Sequence, residues 1–317
     1  MKSLIIGAAG FVGPYLMQHL KRDLGHEIAV TKMPHEQIKI AEMKKSDYQV
    51  YDLNILIPEE ITELLFEIHP DYIFHLAAQS SVALSWKNPA LTVDVNVKGG
   101  INVLEALRSL DYKPRMIMVG SGEEYGPVCY SDEGIREDSR INPVNIYAAT
   151  KACQNMIGRI YAQAYGLEIM MVRAFNHIGP NQEPMFAVAD FCKQAALIEA
   201  GKREAVILVG NLKAERDFTD VRDVVRAYAL LVENGKAGET YNVGSGKTIS
   251  LADILQLILD MSVSDIRVEV DPNKLRPIDV PVIKADIGKM REVIDWEPVI
   301  KLEQTIAETL DYWRKKI

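Results

Sequence analysis

A tyrosine and a lysine four residues apart, Tyr147 and Lys151, are the side chains of this sequence best suited to proton transfer. They lie in the stretch Asn-Ile-Tyr-Ala-Ala-Thr-Lys, and if it is helical both side chains share one face. An isolated tyrosine has a pKa of about 10, and a nearby cation stabilises its phenolate. The pair therefore predicts a phenol that exchanges a proton near neutral pH. The same spacing also occurs by chance on solvated helices, so the rest of the chain must supply a cofactor and a substrate.

A glycine-rich turn at the amino terminus predicts a phosphate-binding site. Residues 2–6 form a short apolar run, Gly7, Gly10 and Gly13 follow, and apolar residues then return at helical spacing. A dinucleotide site requires this order of strand, tight turn and helix, because the backbone must approach a pyrophosphate closely. A purely structural glycine turn is the alternative.

Strands and helices alternate beyond this turn. We predict strands at 26–31, 48–51, 72–76, 116–119 and 169–173, and helices at 58–68 and 85–110. The alternation predicts an α/β fold with a Rossmann-type, doubly wound parallel sheet, whose ligands bind at the carboxyl ends of the strands. Small or polar residues follow five of these ends, at Thr31-Lys32, Asp52-Leu53, 77–81, 121–126 and 175–180.

The second half of the chain is less regular. Helical patterns at 188–200, 221–233, 251–261 and 302–315 mix with short strands at 206–209 and 239–243. We predict a dinucleotide-binding domain over residues 1–175, which includes the Tyr147 helix. Residues 176–317 form a smaller, interleaved α/β lobe that binds substrate, with some segments returning to the first domain.

Composition excludes several classes of function. The net charge of −8 over 317 residues argues against a nucleic-acid partner, which would select clustered lysine and arginine. The sequence has no run of about 18 apolar residues, so we expect no membrane span. Cys129, Cys153 and Cys192 are too scattered for a disulfide framework or a metal site. We expect a cytoplasmic protein without a metal.

Four motifs together resemble the extended short-chain dehydrogenase/reductase family. They are Gly-x-x-Gly-Phe-x-Gly at the amino terminus, His75-Leu76-Ala77-Ala78, Ser121 four residues before Tyr125-Gly126, and Tyr147-x-x-x-Lys151. Their order and spacing match the family over essentially the whole chain. The resemblance implies that Tyr147 exchanges a proton with a sugar hydroxyl or ketone while hydride moves to or from a nicotinamide. It also implies that Lys151 lowers the tyrosine pKa and holds the nicotinamide ribose, and that Ser121 hydrogen-bonds the substrate oxygen.

The resemblance also implies a set of cofactor contacts. Besides Tyr147 and Lys151, these are Gly7, Gly10, Phe11, Val12, Gly13, Lys32, Asp52, Leu53, Leu76, Ala77, Ala78 and Ala174. The second strand ends at Lys32 without the carboxylate that selects NAD, and a lysine can pair with a 2′-phosphate. NADP(H) is therefore favoured, and NAD(H) is possible.

The carboxy-terminal half resembles GDP-4-keto-6-deoxy-D-mannose reductases, through Asn176-His177-Ile178-Gly179-Pro180, Arg216-Asp217-Phe218 and Leu275-Arg276-Pro277. This implies reduction of the C4 ketone of that GDP-sugar to GDP-D-rhamnose. The implied substrate contacts are Ser80, Glu123, Asn176, Lys193, Arg216, Arg276 and Asp279. Arginine suits a diphosphate because its planar fork matches phosphate oxygens.

Two alternatives stay open. Glu123 occupies the position of the glutamate that related dehydratases use, which keeps a GDP-mannose 4,6-dehydratase or a nucleotide-sugar 4-epimerase possible. A non-catalytic nucleotide sensor on the same fold is a further alternative, although such proteins typically lose the tyrosine or the lysine. The helices at 85–110 and around Tyr147 pair subunits in many relatives, so we expect a homodimer.

Overall fold

The computed structural model describes residues 1–40, 43–127, 133–275 and 280–317. Cys129, Arg276 and Asp279 lie outside these described residues. Within the described ranges, no helix is long and apolar enough to span a membrane.

The described strands, in chain order, are β1 Lys2–Ile6, β2 Glu27–Lys32, β3 Tyr48–Asp52, β4 Tyr72–His75, β5 Arg115–Val119, β6 Ile169–Ala174, β7 Asn176–Ile178, β8 Val206–Val209, β9 Glu215–Arg216, β10 Phe218–Asp220, β11 Thr240–Val243, β12 Ile249–Ser250, β13 Arg267–Val270 and β14 Val282–Ile283. The described α-helices are α1 Val12–Gln18, α2 Pro58–Ile68, α3 Val82–Lys87, α4 Pro89–Val93, α5 Gly99–Arg108, α6 Ile146–Tyr165, α7 Ala187–Glu199, α8 Val221–Asn234, α9 Leu251–Asp260, α10 Gly288–Ile294 and α11 Leu302–Lys316.

Seven strands form one parallel sheet in the order β11-β6-β5-β4-β1-β2-β3. The inner strands β4 and β6 are buried along their whole length, as their apolar sequences require in a sheet covered on both faces. The predicted doubly wound Rossmann-type sheet is therefore confirmed. Strand β11 comes from beyond residue 175 and completes one edge, while the domain boundary itself stays a prediction.

Helices cover both faces of this sheet. On one face, Leu16 of α1 and Leu231 of α8 belong to a single buried cluster with the sheet. On the other face, Leu65 of α2 and Leu104 of α5 pack in a second cluster, which α6 also joins. Each helix buries one apolar stripe at a spacing near 3.6 residues, which holds the strand ends in fixed positions.

The carboxy-terminal lobe has its own core. Helices α7, α9 and α11 pack around β8 in a cluster that includes Phe191, Ile254 and Trp313. A smaller cluster joins this lobe to the sheet and contains Tyr125, Phe175 and Ile283. The smaller cluster lies under the segment that carries Ser121.

The prediction of one long helix over 85–110 is wrong. Helix α3 ends at Lys87, and Asn88 begins α4 by accepting a hydrogen bond from the Leu91 N–H at 3.2 Å. Pro89 causes the break, because proline has no N–H and its ring clashes with a preceding helical turn. A π-helical turn, Asp94–Lys98, then separates α4 from α5.

Candidate active site

Helix α6 carries the predicted catalytic pair. The Asn145 side chain caps the helix by accepting the Ala148 N–H at 2.8 Å, which places Tyr147 in the first turn. Lys151 follows one turn later on the same face and is buried. The helix predicted from residues 145–151 is thus present, with its start at the carboxyl edge of the sheet.

Ser121 follows β5 and meets Tyr147. It caps a short 3₁₀ turn, Gly122–Tyr125, and its hydroxyl hydrogen-bonds the Tyr147 phenol. Burial raises the pKa of Tyr147 above its ordinary value, the Ser121 hydrogen bond lowers it, and the charges of Glu123 and Glu124 raise it further. The phenol is therefore neutral at physiological pH and has a proton to donate.

The Lys151 ammonium is held by hydrogen bonds to the end of β5 and to its own helix. Its ammonium donates to the Val119 carbonyl at 2.8 Å and to Gln154 Oε1 at 3.1 Å. Burial lowers the pKa of Lys151 to about 8, against the opposing charge of Glu124. Most of the ammonium is still protonated at neutral pH. Its predicted influence on the tyrosine pKa and its contact with a ribose stay predictions.

Glu123 lies half-buried beside this group. Its carboxylate accepts a hydrogen bond from Asn145 Nδ2 at 2.7 Å. The Asn145 side chain therefore both caps the helix that carries Tyr147 and binds the Glu123 carboxylate.

The sequence reasoning missed Asn96, in the π-helical turn before α5. Its Nδ2 donates to Thr150 Oγ1 at 2.9 Å and to the Gln79 carbonyl at 3.0 Å, while its Oδ1 accepts the Gln79 N–H at 2.8 Å. Thr150 lies between Tyr147 and Lys151 in the chain. Asn96 thus ties α6 to the loop after β4. The sequence did contain a signal for this residue. Asn96 stands three residues before Gly99-Gly100, and a glycine pair is unfavourable inside a helix, which indicates an irregular turn there.

The glycine turn leaves a space that suits a pyrophosphate. Gly7 has φ +88°, and a Cβ there would lie 2.6 Å from the Ala77 backbone; at Gly13 a Cβ would lie 2.1 Å from the Ala8 carbonyl oxygen. At Gly10, by contrast, the nearest atom to a Cβ is the Gly7 carbonyl oxygen at 3.9 Å. The turn is closed where it packs on the sheet and open at Gly10, so the residues present fit a dinucleotide phosphate.

Lys32 and Asp52, at the ends of two adjacent strands, pair with each other. Lys32 Nζ lies 2.5 Å from Asp52 Oδ1, in register across β2 and β3. Leu53 is buried and donates its N–H to the Lys32 carbonyl at 2.9 Å. The structure therefore places these three predicted cofactor contacts side by side at one corner of the sheet.

The remaining predicted cofactor contacts lie along the same edge. Leu76 and Ala77 both donate their N–H groups to the Ile6 carbonyl, which fixes the strand end that continues to Ala78. Phe11 stacks on His177 with ring centroids 6.0 Å apart, next to Val12 at the start of α1. Ala174 is the last residue of β6.

The predicted substrate contacts are more scattered. Asn176 is exposed and pairs in register with Phe218, two residues after Arg216. Arg216 is buried at the centre of the sheet β12-β9-β14 and donates to the Glu215 carbonyl. Ser80 is exposed, and Lys193 places its ammonium 5.4 Å from the ring centre of Trp313. The roles of these residues, and those of Arg276 and Asp279 outside the described residues, stay predictions.

Comparison with known proteins agrees with this geometry. The profile of the GDP-mannose 4,6 dehydratase family matches residues 4–309. The GDP-6-deoxy-D-mannose reductase of Pseudomonas aeruginosa is 29% identical over 314 residues, which cover 99% of this chain and 97% of that protein.

Two solved structures are similar over the full length of both chains. RMD from Pseudomonas aeruginosa, complexed with NADPH, has a TM-score of 0.86 at 26% identity and 100% coverage of each chain. The Thermus thermophilus UDP-glucose 4-epimerase, in complex with NAD, has a TM-score of 0.88 at 27% identity and 100% coverage of each chain. The chain therefore belongs to the GDP-mannose 4,6-dehydratase family of extended short-chain dehydrogenases/reductases, which are NAD(P)-dependent enzymes acting on nucleotide sugars.

Proposed function

We propose that this enzyme reduces the C4 ketone of GDP-4-keto-6-deoxy-D-mannose to GDP-D-rhamnose, with NADPH as the reductant. The observation that carries the proposal is the neutral Tyr147 phenol, hydrogen-bonded to Ser121 and one helical turn from the Lys151 ammonium. Ketone reduction needs a proton donor where negative charge develops on oxygen, and a protonated phenol beside a serine hydroxyl supplies both the proton and a second hydrogen-bond donor.

The chain supplies the acid and holds the reacting oxygen, and a nicotinamide dinucleotide, when bound, supplies the hydride. Tyr147 donates its proton to the C4 oxygen, and the Ser121 hydroxyl fixes that oxygen. Lys151 then stabilises the phenolate by its charge until solvent returns the proton. Because Lys151 is buried, its charge acts on the phenolate through a medium less polarisable than water, which strengthens the electrostatic interaction.

The carboxy-terminal lobe supplies the diphosphate site in this proposal. Arg216 lies on the central strand of its sheet, and its neighbour Asp217 binds the segments that follow β11 and β14. The Asp217 carboxylate accepts N–H groups from Ser245 at 2.6 Å, Gly246 at 2.9 Å and Ala285 at 3.1 Å. The Arg216 guanidinium itself donates from Nη1 to the Glu215 carbonyl at 2.8 Å and to the Pro281 carbonyl at 3.4 Å. A guanidinium held by such contacts binds a diphosphate with little further loss of side-chain entropy.

A second function is favoured by Glu123. Its carboxylate, anchored by Asn145 beside Ser121, is suited to removing a proton from C5 of a sugar, as a 4,6-dehydratase requires. A dehydratase or epimerase returns its cofactor to the starting state in each cycle and consumes no reductant.

One assay separates these functions. With NADPH and GDP-4-keto-6-deoxy-D-mannose, we expect stoichiometric NADPH oxidation and a GDP-6-deoxyhexose product identified by NMR. Turnover of GDP-mannose or UDP-glucose without added reductant would instead indicate the dehydratase or the epimerase. If neither substrate set is turned over, the proposal is contradicted.

Lys32 is expected to set the preference for NADPH. In the Lys32→Ala variant the 2′-phosphate loses its cation and meets the freed Asp52 carboxylate. Loss of one charge-assisted contact should raise the KM for NADPH about 10- to 100-fold. The KM for NADH should change much less. Steady-state kinetics with both cofactors measures the difference.

Lys39→Ala is the matched control, because this lysine follows the same strand but pairs with Glu183 at 3.1 Å. Equal changes in both KM values for Lys32→Ala, or the same NADPH effect in the control, would exclude the assigned role.

The predicted homodimer forms through α4 and α6 in this proposal. These helices pack together and leave Val93, Met156 and Ile160 45%, 55% and 58% exposed. A second copy would remove these apolar side chains from water.

Ile160→Asp should shift the protein from dimer to monomer in light scattering coupled to size exclusion. Phe66→Asp, 54% exposed on α2, should leave the mass unchanged. A wild-type monomer at micromolar concentration would contradict this interface.

A further inference from the structure

A buried ion pair lies directly beneath Ser121 and takes no part in the proton transfer just described. Glu124 is fully buried and Arg173 is 7% exposed, and Arg173 Nε donates to Glu124 Oε2 at 2.8 Å. Removing two charges from water costs several kcal/mol per ion, and an apolar pair of similar volume is often as stable. Its location under the catalytic serine therefore points to a role other than stability.

Both carboxylate oxygens of Glu124 are used. Oε1 accepts the Ser121 backbone N–H at 2.8 Å, while Oε2 accepts from Arg173. Arg173 Nη1 in turn donates to the Tyr125 hydroxyl at 2.8 Å and to the Glu137 carbonyl at 3.0 Å. The Tyr125 hydroxyl donates to Asn242 Oδ1 at 2.7 Å. The Ser121 backbone is thus linked to β6 and β11 through hydrogen bonds between buried groups.

Gly120 gives an independent indication that the carboxylate must lie there. A Cβ at this position would lie 2.2 Å from Glu124 Oε1 and 2.8 Å from the Val172 carbonyl oxygen. The β-carbon of any other residue would occupy the space of the carboxylate. Only glycine at position 120 leaves room for the Glu124 carboxylate to approach the backbone.

We propose that Glu124, held by Arg173, is the positioning residue that fixes the Ser121 backbone so that its hydroxyl meets the Tyr147 phenol. The role rests on the proposed function, since it concerns the same oxygen-binding group. Misplacing a catalytic hydroxyl by about 1 Å can cost on the order of 100-fold in rate.

Glu124 also faces Lys151 across the site. Among the described residues, His75 at the end of β4 also interacts electrostatically with this ammonium, which lowers the His75 pKa. The Glu124 charge raises the pKa of Lys151 against the lowering effect of burial. Removing that charge lowers the lysine pKa, so the ammonium is lost at a lower pH.

The test is Glu124→Gln. The amide has one acceptor atom, so it can bond the Ser121 N–H or the Arg173 Nε–H but not both. We expect kcat to fall about 10- to 100-fold, with the KM for the sugar nucleotide within threefold of wild type. The alkaline limb of the kcat profile should move to lower pH, an effect that a merely structural role would not produce.

Asp223→Asn is the matched control. Asp223 is 1% exposed, pairs with Arg226 at 2.8 Å, and accepts the Val299 and Ile300 N–H groups, all away from the active site. Its asparagine variant suffers the same loss of one acceptor, so it should lose stability without a change in kcat or pH profile.

The outcomes separate this role from the proposed function. An inactive wild type contradicts the function. An active wild type with an unchanged Glu124→Gln profile overturns the positioning role. If Glu124→Gln does not fold, the apolar pair Glu124→Leu with Arg173→Met removes both charges together. It should fold with low kcat, and a normal kcat in this variant overturns the proposal.

Discussion

Tyr147→Phe is expected to reduce kcat about 100- to 10,000-fold, the range for loss of a positioned general acid. The change removes only the hydroxyl that Ser121 contacts, so folding and NADPH binding should persist. Stopped-flow mixing with NADPH and the keto sugar measures the hydride step. Quenching of protein fluorescence measures cofactor affinity.

Tyr228→Phe is the control for loss of a buried phenol. Among the described residues, the Tyr228 hydroxyl has no hydrogen-bond partner, and the ring is fully buried in α8. Its phenylalanine variant should keep kcat within about threefold, because a hydroxyl without a partner contributes little. A Tyr147→Phe enzyme as active as wild type would remove the tyrosine from the mechanism.

Gly7→Ala is expected to destabilise the fold by about 3 kcal/mol or more and to abolish cofactor binding, since the left-handed backbone and a backbone clash act together. The added Cβ would lie 2.6 Å from the backbone nitrogen and Cα of Ala77. Neither atom can move without displacing the segment after β4, which carries the predicted cofactor contacts Leu76, Ala77 and Ala78. Urea unfolding and NADPH titration measure the two effects.

Gly25→Ala separates backbone strain from the clash. Gly25 has φ +71°, but nothing lies within 4 Å of a Cβ there. The cost should be about 1 kcal/mol, the penalty of the left-handed conformation alone, with NADPH affinity unchanged. Equal losses in the two variants would mean that contact with Ala77 does not shape the turn.

Local patterns explain which predictions succeeded. The helix Pro58–Ile68 has the predicted bounds, because a proline at the first helical position and a periodic apolar stripe mark it within a single segment. The strand Val206–Val209 likewise follows from its short apolar run. The break at Asn88-Pro89 was also local, and the proline rule would have found it.

Cofactor geometry shows a partial success. The sequence places Lys32 and Asp52 at strand ends, but their ion pair joins residues 20 apart, and only the pairing of β2 with β3 makes them neighbours. Asn96 and Thr150 are 54 residues apart and are joined in the same way. Contacts of this kind depend on which strands and helices pack together, and local periodicity carries no such information.

The sequence by itself determined the strand-turn-helix at the amino terminus, the alternation that builds the sheet, and the helix with Tyr147 and Lys151. These depend on glycine conformations and on spacings of two or 3.6 residues, which neighbouring residues specify. Only the tertiary structure decided how deeply the adjacent residues Glu123 and Glu124 are buried and which partners they bind. Glu123 lies half-buried against Asn145, whereas Glu124 is fully buried against Arg173, 49 residues away. The reason is physical: a carboxylate is stable in the interior only where the fold brings a charged partner and N–H donors to it.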